Sequence, residues 1–437
     1  MRDAIIFLII FSSLPFIFKR PAIGVLMFTW ISLMNPHRLT YGAAFDFPFA
    51  AVVAGVTAVS LFFSKLPKRY PLSATTVTLL LFATWMTVTS FFALEPSLVW
   101  LEWNRVIKTL FMVAISMAAL NTEKDLKRFV WVVALSLGLY GLKGGIFTVA
   151  SGGSFRVYGP AGSYIEENNS MALALVTVLP LIWYLRSQVR HKYLALGMVA
   201  MVVGTAIAAV GSYSRGALVG GAAMLFFLWF QGAKKIQTAI LVIAIGGLIS
   251  AIMPAQWFQR MDTIGEYTQD GSAMGRINAW YFAVNVATQH PIGGGFNVFS
   301  PRMFKIYAPQ PDDYHVAHSI YFQVMGDHGF FGLALFLLLM LFAWRTGSRI
   351  VKLCKDDPER KWASDLARMA QVSLVGYAVS GAFLSLAYFD LYYDIIIILV
   401  VLEKILTASP STHVAGRPSS PSTRVAEQPS SASTLPG

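Results

Sequence analysis

The sequence has 437 residues and a formal net charge of +12; 56% of the residues are hydrophobic and only 13% are charged. Soluble globular domains carry roughly 25% charged residues, so the composition excludes an ordinary soluble protein. Outer-membrane barrels are excluded as well, because their strands give alternating segments of about 10 residues, whereas this chain has long continuous apolar runs. The sequence therefore predicts an all-α, polytopic integral membrane protein that is embedded in a lipid bilayer.

The apolar runs, taken in chain order, predict about 12 transmembrane helices. They cover residues 4–18, 21–34, 46–64, 72–92, 104–120, 127–150, 168–185, 193–211, 215–231, 236–253, 319–344, 367–387 and 391–406. The first two runs are short and Pro21 separates them, so residues 1–34 form either two tilted spans or one span and a re-entrant piece. The first run lacks a small-x-small cleavage site and another apolar run follows at once, so we interpret it as uncleaved.

Lysines and arginines are divided unequally between alternate loops. One set of loops holds eighteen of them and the other set holds four, Arg38, Arg105, Arg156 and Arg215. The positive-inside rule makes the first set cytoplasmic and the second set outward-facing. Most of the net charge is therefore a topology signal, and no nucleic-acid partner is expected because the charge is not clustered on one soluble face.

Composition also divides the chain into domains. The predicted domains are 1–192 (amino-terminal helices), 193–345 (a central domain with a long outer loop over 254–318), 346–406 (the last helices) and 407–437 (a cytoplasmic tail). The tail is rich in Ser and Pro and is expected to be disordered. No phosphate-binding glycine loop and no dinucleotide fingerprint occur, so the sequence predicts no cofactor. Cys354 is the single cysteine, so there is no disulfide framework.

Basic residues collect at the predicted outer ends of the spans. Arg215 lies in "AVGSYSRGALVGG" at the first turn of an inward-running helix, where free N–H groups and the helix dipole favour anions. Lys143 lies roughly two turns inside its span, where a lysine is costly. Each residue alone is better explained as an interfacial anchor, but the set without matching acids indicates a polyanionic ligand such as a lipid diphosphate. The candidate diphosphate ligands are Arg105, Lys108, Lys143, Arg156, Arg215 and Arg276.

His318 lies where the outer loop re-enters the membrane. A neutral imidazole there can take a proton from a sugar hydroxyl during attack. His315, with Asp312 and Asp313 upstream, offers a metal site as an alternative, but the spacing is poor for a closed site. We expect no metal and interpret His318 as a catalytic residue.

Three stretches carry a family likeness: "SYSRGALVGG", "GRINAWYFAVNVATQHPIGGGFNVF" and "HSIYFQVMGDHGFFGLALFLLL". In order and spacing they resemble the shared domain of the bacterial O-antigen ligases and O-antigen polymerases, over about residues 193–344. The upstream stretch "FRVYGPAGSYIEENNSMALAL" resembles the branch of exosortase-associated O-glycosylation ligases.

The resemblance implies a GT-C-like, metal-independent, inverting glycosyltransferase in the bacterial inner membrane. It implies a glycan donor on undecaprenyl diphosphate and an acceptor such as lipid A–core oligosaccharide, joined at the periplasmic face to complete lipopolysaccharide. It also implies catalytic roles for Arg215 and His318 and a diphosphate contact for Arg276, whereas Ser319 replaces the family's usual asparagine.

Three other functions remain open from the sequence. A polysaccharide polymerase and a protein O-glycosylation ligase of the same family would use the same donor with another acceptor. A transporter of lipid-linked glycan is less well supported, because transporters place ionisable residues near mid-membrane on broken helices, and here only Lys143 lies deep.

Overall fold

The computed structural model describes residues 1–65, 70–231, 246–247, 250–262 and 271–408, and within these ranges the chain is helical and has no strand. The helices are α1 (Arg2–Lys19), α2 (Pro21–Met34), α3 (Phe49–Phe63), α4 (Ala74–Phe91), α5 (Pro96–Ala119), α6 (Glu123–Ala150), α7 (Asn168–Gln188), α8 (Lys192–Gly211), α9 (Arg215–Gln231), α10 (Ala255–Asp262), α11 (Gly271–Gln289), α12 (Pro301–Tyr307), α13 (Ile320–Leu353), α14 (Lys361–Gly381) and α15 (Asp390–Ala408). The predicted all-α fold is confirmed for this part of the chain.

The protein is a multi-pass membrane protein. Among the described residues, five helices (α4, α6, α7, α8 and α13) are long and apolar enough to cross a bilayer, and α2, α3 and α9 are shorter apolar helices. The predicted span 236–253 lies largely outside the described residues, as does the tail beyond residue 408. The total of about 12 spans therefore stays a prediction.

Two helices extend by eight or more residues beyond the apolar runs that predicted them. Helix α5 begins at Pro96 rather than at residue 104, and proline suits the first turn of a helix because its missing N–H has no partner there. Helix α13 continues to Leu353 rather than ending at residue 344. The extensions contain Glu102, Arg345 and Arg349, so a search for uncharged apolar runs stops short of them.

Helices α6 and α8 pack at very short distance along a glycine face. A Cβ atom on Gly145 would lie 2.6 Å from the Cα of Gly204, and one on Gly141 would lie 2.7 Å from the Cβ of Thr205. Small residues let helix backbones approach closely in membranes, where packing rather than the hydrophobic effect joins helices. Lys143 lies between these two glycines in sequence but is exposed.

Helix α13 is broken at Gly329, whose φ of 69° and ψ of −174° are not helical. We call residues 320–328 α13N. A break leaves the last carbonyl groups of the first segment without helical partners, and other elements supply the donors. The N–H groups of Gly294 and Gly295 bond the carbonyls of Gly326 and Asp327 at 2.9 and 2.8 Å, and the indole N–H of Trp85 bonds the carbonyl of His328 at 2.8 Å.

The segment 382–389 between α14 and α15 is largely buried without being helical. Buried backbone groups need partners, and tyrosines provide them. The hydroxyl of Tyr377 donates to the carbonyl of Leu386 at 2.8 Å, and that of Tyr393 donates to the carbonyl of Ala387 at 3.2 Å. This segment forms one wall of the candidate site.

The described residues of 254–318 form α10, α11 and α12, and the placement of this loop at the periplasmic face stays a prediction. Gly293 and Gly295, which follow α11, have φ values of 86° and 80°, a backbone conformation that favours glycine. Asn278 ties the end of the loop to α11, because its side-chain amide donates to the carbonyls of Gln310 and Asp313, both at 2.9 Å.

Candidate functional site: an arginine pocket beside a histidine

Three arginines from three different elements line one pocket. Arg215 comes from α9, Arg260 from α10 and Arg276 from α11, and all three are half-buried. We call this the arginine pocket; its remaining lining residues are Asn169, Leu173, Ser214, Gly216, Ala217, Ser380, Phe383 and Leu384. A concave site with several convergent cations is suited to an anionic ligand.

The turn before α9 aims Arg215 into the pocket. Tyr213 has a left-handed backbone, with a φ of 61°, and its hydroxyl donates to the carbonyl of Gly153 at 2.6 Å. The Ser214 hydroxyl oxygen accepts from the N–H of Ala217 at 3.3 Å, which is the usual way a serine caps a helix. Arg215 therefore occupies the first turn of a helix, where the dipole also favours an anion.

The small residues after Arg215 have a packing role. A Cβ atom on Gly216 would lie 2.9 Å from the Cβ of Phe383, and one on Gly220 would lie 3.0 Å from the Cβ of Ser380. These small residues allow α14 and the segment 382–389 to approach α9 closely, which brings the wall of the pocket to Arg215.

Arg260 was missed by the sequence analysis. Its Nε donates to the carbonyl of Tyr213 at 3.2 Å, so it is tied to the same turn that places Arg215. Trp257, one turn earlier on α10, is buried and donates to the carbonyl of Val210 at 3.1 Å. The only signal in the sequence was a basic residue in the outer loop, and nothing there showed that α10 folds back onto the end of α8.

Trp280 joins Arg276 to His318. It lies one turn after Arg276 on α11, and residues four apart lie on the same face of a helix. Its indole N–H donates to the carbonyl of Ala317 at 2.9 Å, and its ring stacks on Phe322 with centroids 4.9 Å apart. The contacts hold the segment that carries His318 against the helix that carries Arg276.

His318 is a neutral imidazole at ordinary pH. Burial, and after it the positive charges of Arg276 and, when protonated, His315, together lower its pKa from 6.5 to about 4. Its φ of 43° is a left-handed conformation that is uncommon outside glycine. Strained backbone of this kind persists where the surroundings fix it, and functional sites are a frequent place for it.

The other predicted ligands are not among the residues that line the arginine pocket. Arg156 lies next to it, with its guanidinium 5.9 Å from the ring centroid of Tyr213. Lys108 and Lys143 are exposed on α5 and α6, and neither lines the pocket with the three arginines. Their roles as diphosphate ligands stay predictions.

Arg105 belongs to a different polar cluster. Its guanidinium lies over the ring of Tyr164, 3.6 Å from the centroid, and 4.0 Å from the carboxylate of Glu102. A second, smaller pocket lies near it, lined by residues that include Thr109 and Asp390. Arg105 is thus already occupied by a π face and a carboxylate.

A metal centre finds no support in the described part of the chain, where no three or more His, Cys, Asp and Glu side chains are grouped so as to hold an ion. His315 pairs instead with Asp313, Nε2 to Oδ1, at 2.9 Å. That contact fixes His315 beside Gly275, where a Cβ atom would lie 2.9 Å from the imidazole Cε1.

Comparison with known families fits this geometry. Residues 200–337 match the family described as O-antigen ligase. The chain therefore carries an O-antigen ligase family domain. The matched region contains all three arginines of the pocket and His318, so the family domain and the site coincide. The domain supports a ligase- or polymerase-family function and implies lipid-linked glycans in a membrane as the substrate class.

The amino-terminal part has no functional assignment from its own match. Residues 1–190 match a family of unknown function, DUF5935, and no curated protein matches the chain. Arg105, Lys108, Lys143 and Arg156 all lie in this part.

Proposed function

We propose that this protein is an inverting glycosyltransferase that moves a glycan from undecaprenyl diphosphate to lipid A–core oligosaccharide at the periplasmic face of the inner membrane. The observation that carries the proposal is the convergence of Arg215, Arg260 and Arg276 in one pocket, with His318 held beside Arg276.

The arginines bind the diphosphate and stabilise it as it leaves. Guanidinium groups match phosphate oxygens in a bidentate way. Negative charge grows on the diphosphate as the glycosidic bond breaks, so preorganised donors there stabilise the transition state more than the ground state. The lipid-linked donor supplies the energy of the reaction, and no nucleotide is needed.

His318 acts on the acceptor. The acceptor hydroxyl oxygen attacks the glycosyl carbon from the side opposite the diphosphate, and its proton passes to the neutral imidazole. One C–O bond to the acceptor forms while the C–O bond to the diphosphate breaks, and undecaprenyl diphosphate leaves. A single displacement of this kind inverts the configuration at the carbon.

The acceptor decides between the functions open to the family. Purified protein in liposomes is given lipid-linked glycan with lipid A–core, with excess lipid-linked glycan alone, or with a protein acceptor. Glycan joined to lipid A–core supports the proposal. Longer lipid-linked chains would make the protein a polymerase, and glycosylated protein would make it a protein O-glycosylation ligase.

The proposed orientation predicts a labelling pattern in a Cys354→Ala background. Ser154→Cys, in the exposed turn after α6, should react with an impermeant maleimide in spheroplasts, because the loop set with few cations faces outward. Lys355→Cys, in the exposed turn after α13, should react only after permeabilisation. The reverse pattern would place the arginine pocket on the cytoplasmic side and contradict the proposal.

Metal independence predicts that EDTA leaves the transfer rate within about twofold of the untreated rate, since arginines rather than a metal ion stabilise the leaving diphosphate. The measurement is the transfer rate of purified protein after dialysis against the chelator. Loss of transfer in EDTA that one added divalent ion restores would return Asp312, Asp313 and His315 to consideration as ligands.

A further inference from the structure

The short helix α13N has a functional residue at one end and the helix break at the other. His318 precedes its first residue, Ile320, by two positions, and Gly329 follows its last. At 1.5 Å per residue it is about 13 Å long, so a small rotation at the break moves His318. What fixes α13N at the break therefore also fixes the histidine.

A buried hydrogen bond ties the end of α13N to the segment 382–389. The hydroxyl of Tyr388 donates to Oδ2 of Asp327 at 2.8 Å, and both side chains are at most 3% exposed. A second bond runs the same way, from the N–H of Ala387 to Oε1 of Gln323 at 3.2 Å. The two bonds join one face of α13N to consecutive residues of the segment.

The same segment forms a wall of the arginine pocket. Phe383 and Leu384 line that pocket, and Phe383 packs at Gly216, next to Arg215. The bond between Tyr388 and Asp327 thus connects the wall at Arg215 to the helix that carries His318. Trp280 makes a separate connection between His318 and Arg276.

We propose that Asp327 and Tyr388 are positioning residues: their hydrogen bond sets the placement of His318 relative to the arginine pocket, so that the proton acceptor and the diphosphate donors act on one glycosyl carbon. The inference rests on the proposed function of His318 and Arg215. Neither Asp327 nor Tyr388 is among the residues that line the arginine pocket.

Substitutions at Asp327 can distinguish a positioning role, which needs only a hydrogen-bond acceptor, from a role that needs the negative charge of its carboxylate. The role requires Asp327 only as a hydrogen-bond acceptor toward Tyr388. An asparagine at this position keeps a carbonyl oxygen that accepts the same O–H bond, whereas leucine does not. A role that depended on the negative charge of the carboxylate would be lost in both variants.

The first test is Tyr388→Phe, which removes one oxygen atom. We expect kcat for transfer to fall about 10- to 100-fold, because a displacement near 1 Å costs that much in a positioned reaction, while donor Kd stays within twofold. The acid limb of the pH–rate profile should rise from near pH 4 toward the ordinary histidine value of 6.5, because His318 moves away from Arg276 and gains water.

The matched control is Tyr140→Phe, which removes a tyrosine hydroxyl that donates to the carbonyl of Met34 at 2.7 Å, on helices α6 and α2. It also removes one hydrogen bond donated by a tyrosine hydroxyl, here to a backbone carbonyl at a part-buried position, so it reports the effect of lost stability away from the site. We expect it to lower the thermal midpoint about as much as Tyr388→Phe and to leave both kcat and the acid limb unchanged.

Asp327→Asn and Asp327→Leu give the second comparison. We expect Asp327→Asn to retain transfer within about threefold and Asp327→Leu to behave like Tyr388→Phe. The positioning role is overturned if folded Tyr388→Phe keeps the wild-type kcat and acid limb, or if Asp327→Asn and Asp327→Leu lose transfer equally. His318→Ala separates the two failures: if it still abolishes transfer, the proposed function stands without the positioning role.

Discussion

Arg215→Ala should lower the transfer rate about 10²- to 10³-fold, the loss typical of removing one donor to a developing oxyanion. It should weaken donor binding as well, because the diphosphate is charged before the reaction and gains charge during it. Arg215→Lys should recover only part of the loss, since an ammonium group cannot make the bidentate contact. The measurements are donor affinity and single-turnover transfer rate for each purified variant.

The control for Arg215 is Arg302→Ala. Arg302 lies on α12 in the same long loop, its side chain is 75% exposed, and its partner is Glu95 at 3.7 Å. The Arg302→Ala variant should leave donor affinity and transfer rate near wild type. Arg260→Ala should reduce both, because Arg260 lines the pocket. An Arg215→Ala protein that folds, binds the donor normally and transfers would reduce Arg215 to an interfacial anchor and remove the pocket from the proposed mechanism.

The apolar runs predicted most of the helices because hydrophobicity in a bilayer is a strong signal along the chain. Helices α7, α8 and α9 begin within one residue of the predicted starts. The signal fails where a helix continues past the apolar region, as α13 does beyond Trp344. It also cannot show the break at Gly329, which depends on donors from Gly294, Gly295 and Trp85, residues distant in the sequence.

The site was only partly predictable for a related reason. Arg215 and Arg276 line one pocket and His318 lies beside Arg276. The family motifs drew attention to these three residues, and their roles stay predictions. Arg260 lies in a stretch without a motif and reaches the pocket only because α10 packs onto the turn at Tyr213. Lys143 was predicted to be a diphosphate ligand only because of its depth in the membrane. Depth does not tell which side of a helix faces a pocket. The side chain of Lys143 is exposed opposite the glycines that pack on α8.

The pKa of His318 makes its role measurable through pH. A general base works in its neutral form, and burial followed by Arg276 and His315 lowers this pKa to about 4. His318 is therefore fully neutral at pH 7, and transfer should lose rate only as the pH falls through about 4. An unperturbed histidine would begin to lose rate near 6.5. An acid limb near pH 6.5 in wild-type single-turnover rates would contradict the assignment.

His318→Ala should reduce transfer by at least about 10²-fold, because general-base catalysis by a side chain contributes about 10²- to 10⁴-fold. Donor affinity should stay near wild type, since the diphosphate is held by the arginines and not by a neutral imidazole. His318→Ala should thus lower the transfer rate alone, whereas Arg215→Ala should lower both donor affinity and transfer rate.

His290→Ala is the control. His290 lies in the same loop, its Nε2 bonds the hydroxyl of Tyr307 at 2.7 Å, and it does not line the arginine pocket. Equal losses of transfer in His290→Ala and His318→Ala would show that the loop, rather than a base at residue 318, limits the reaction.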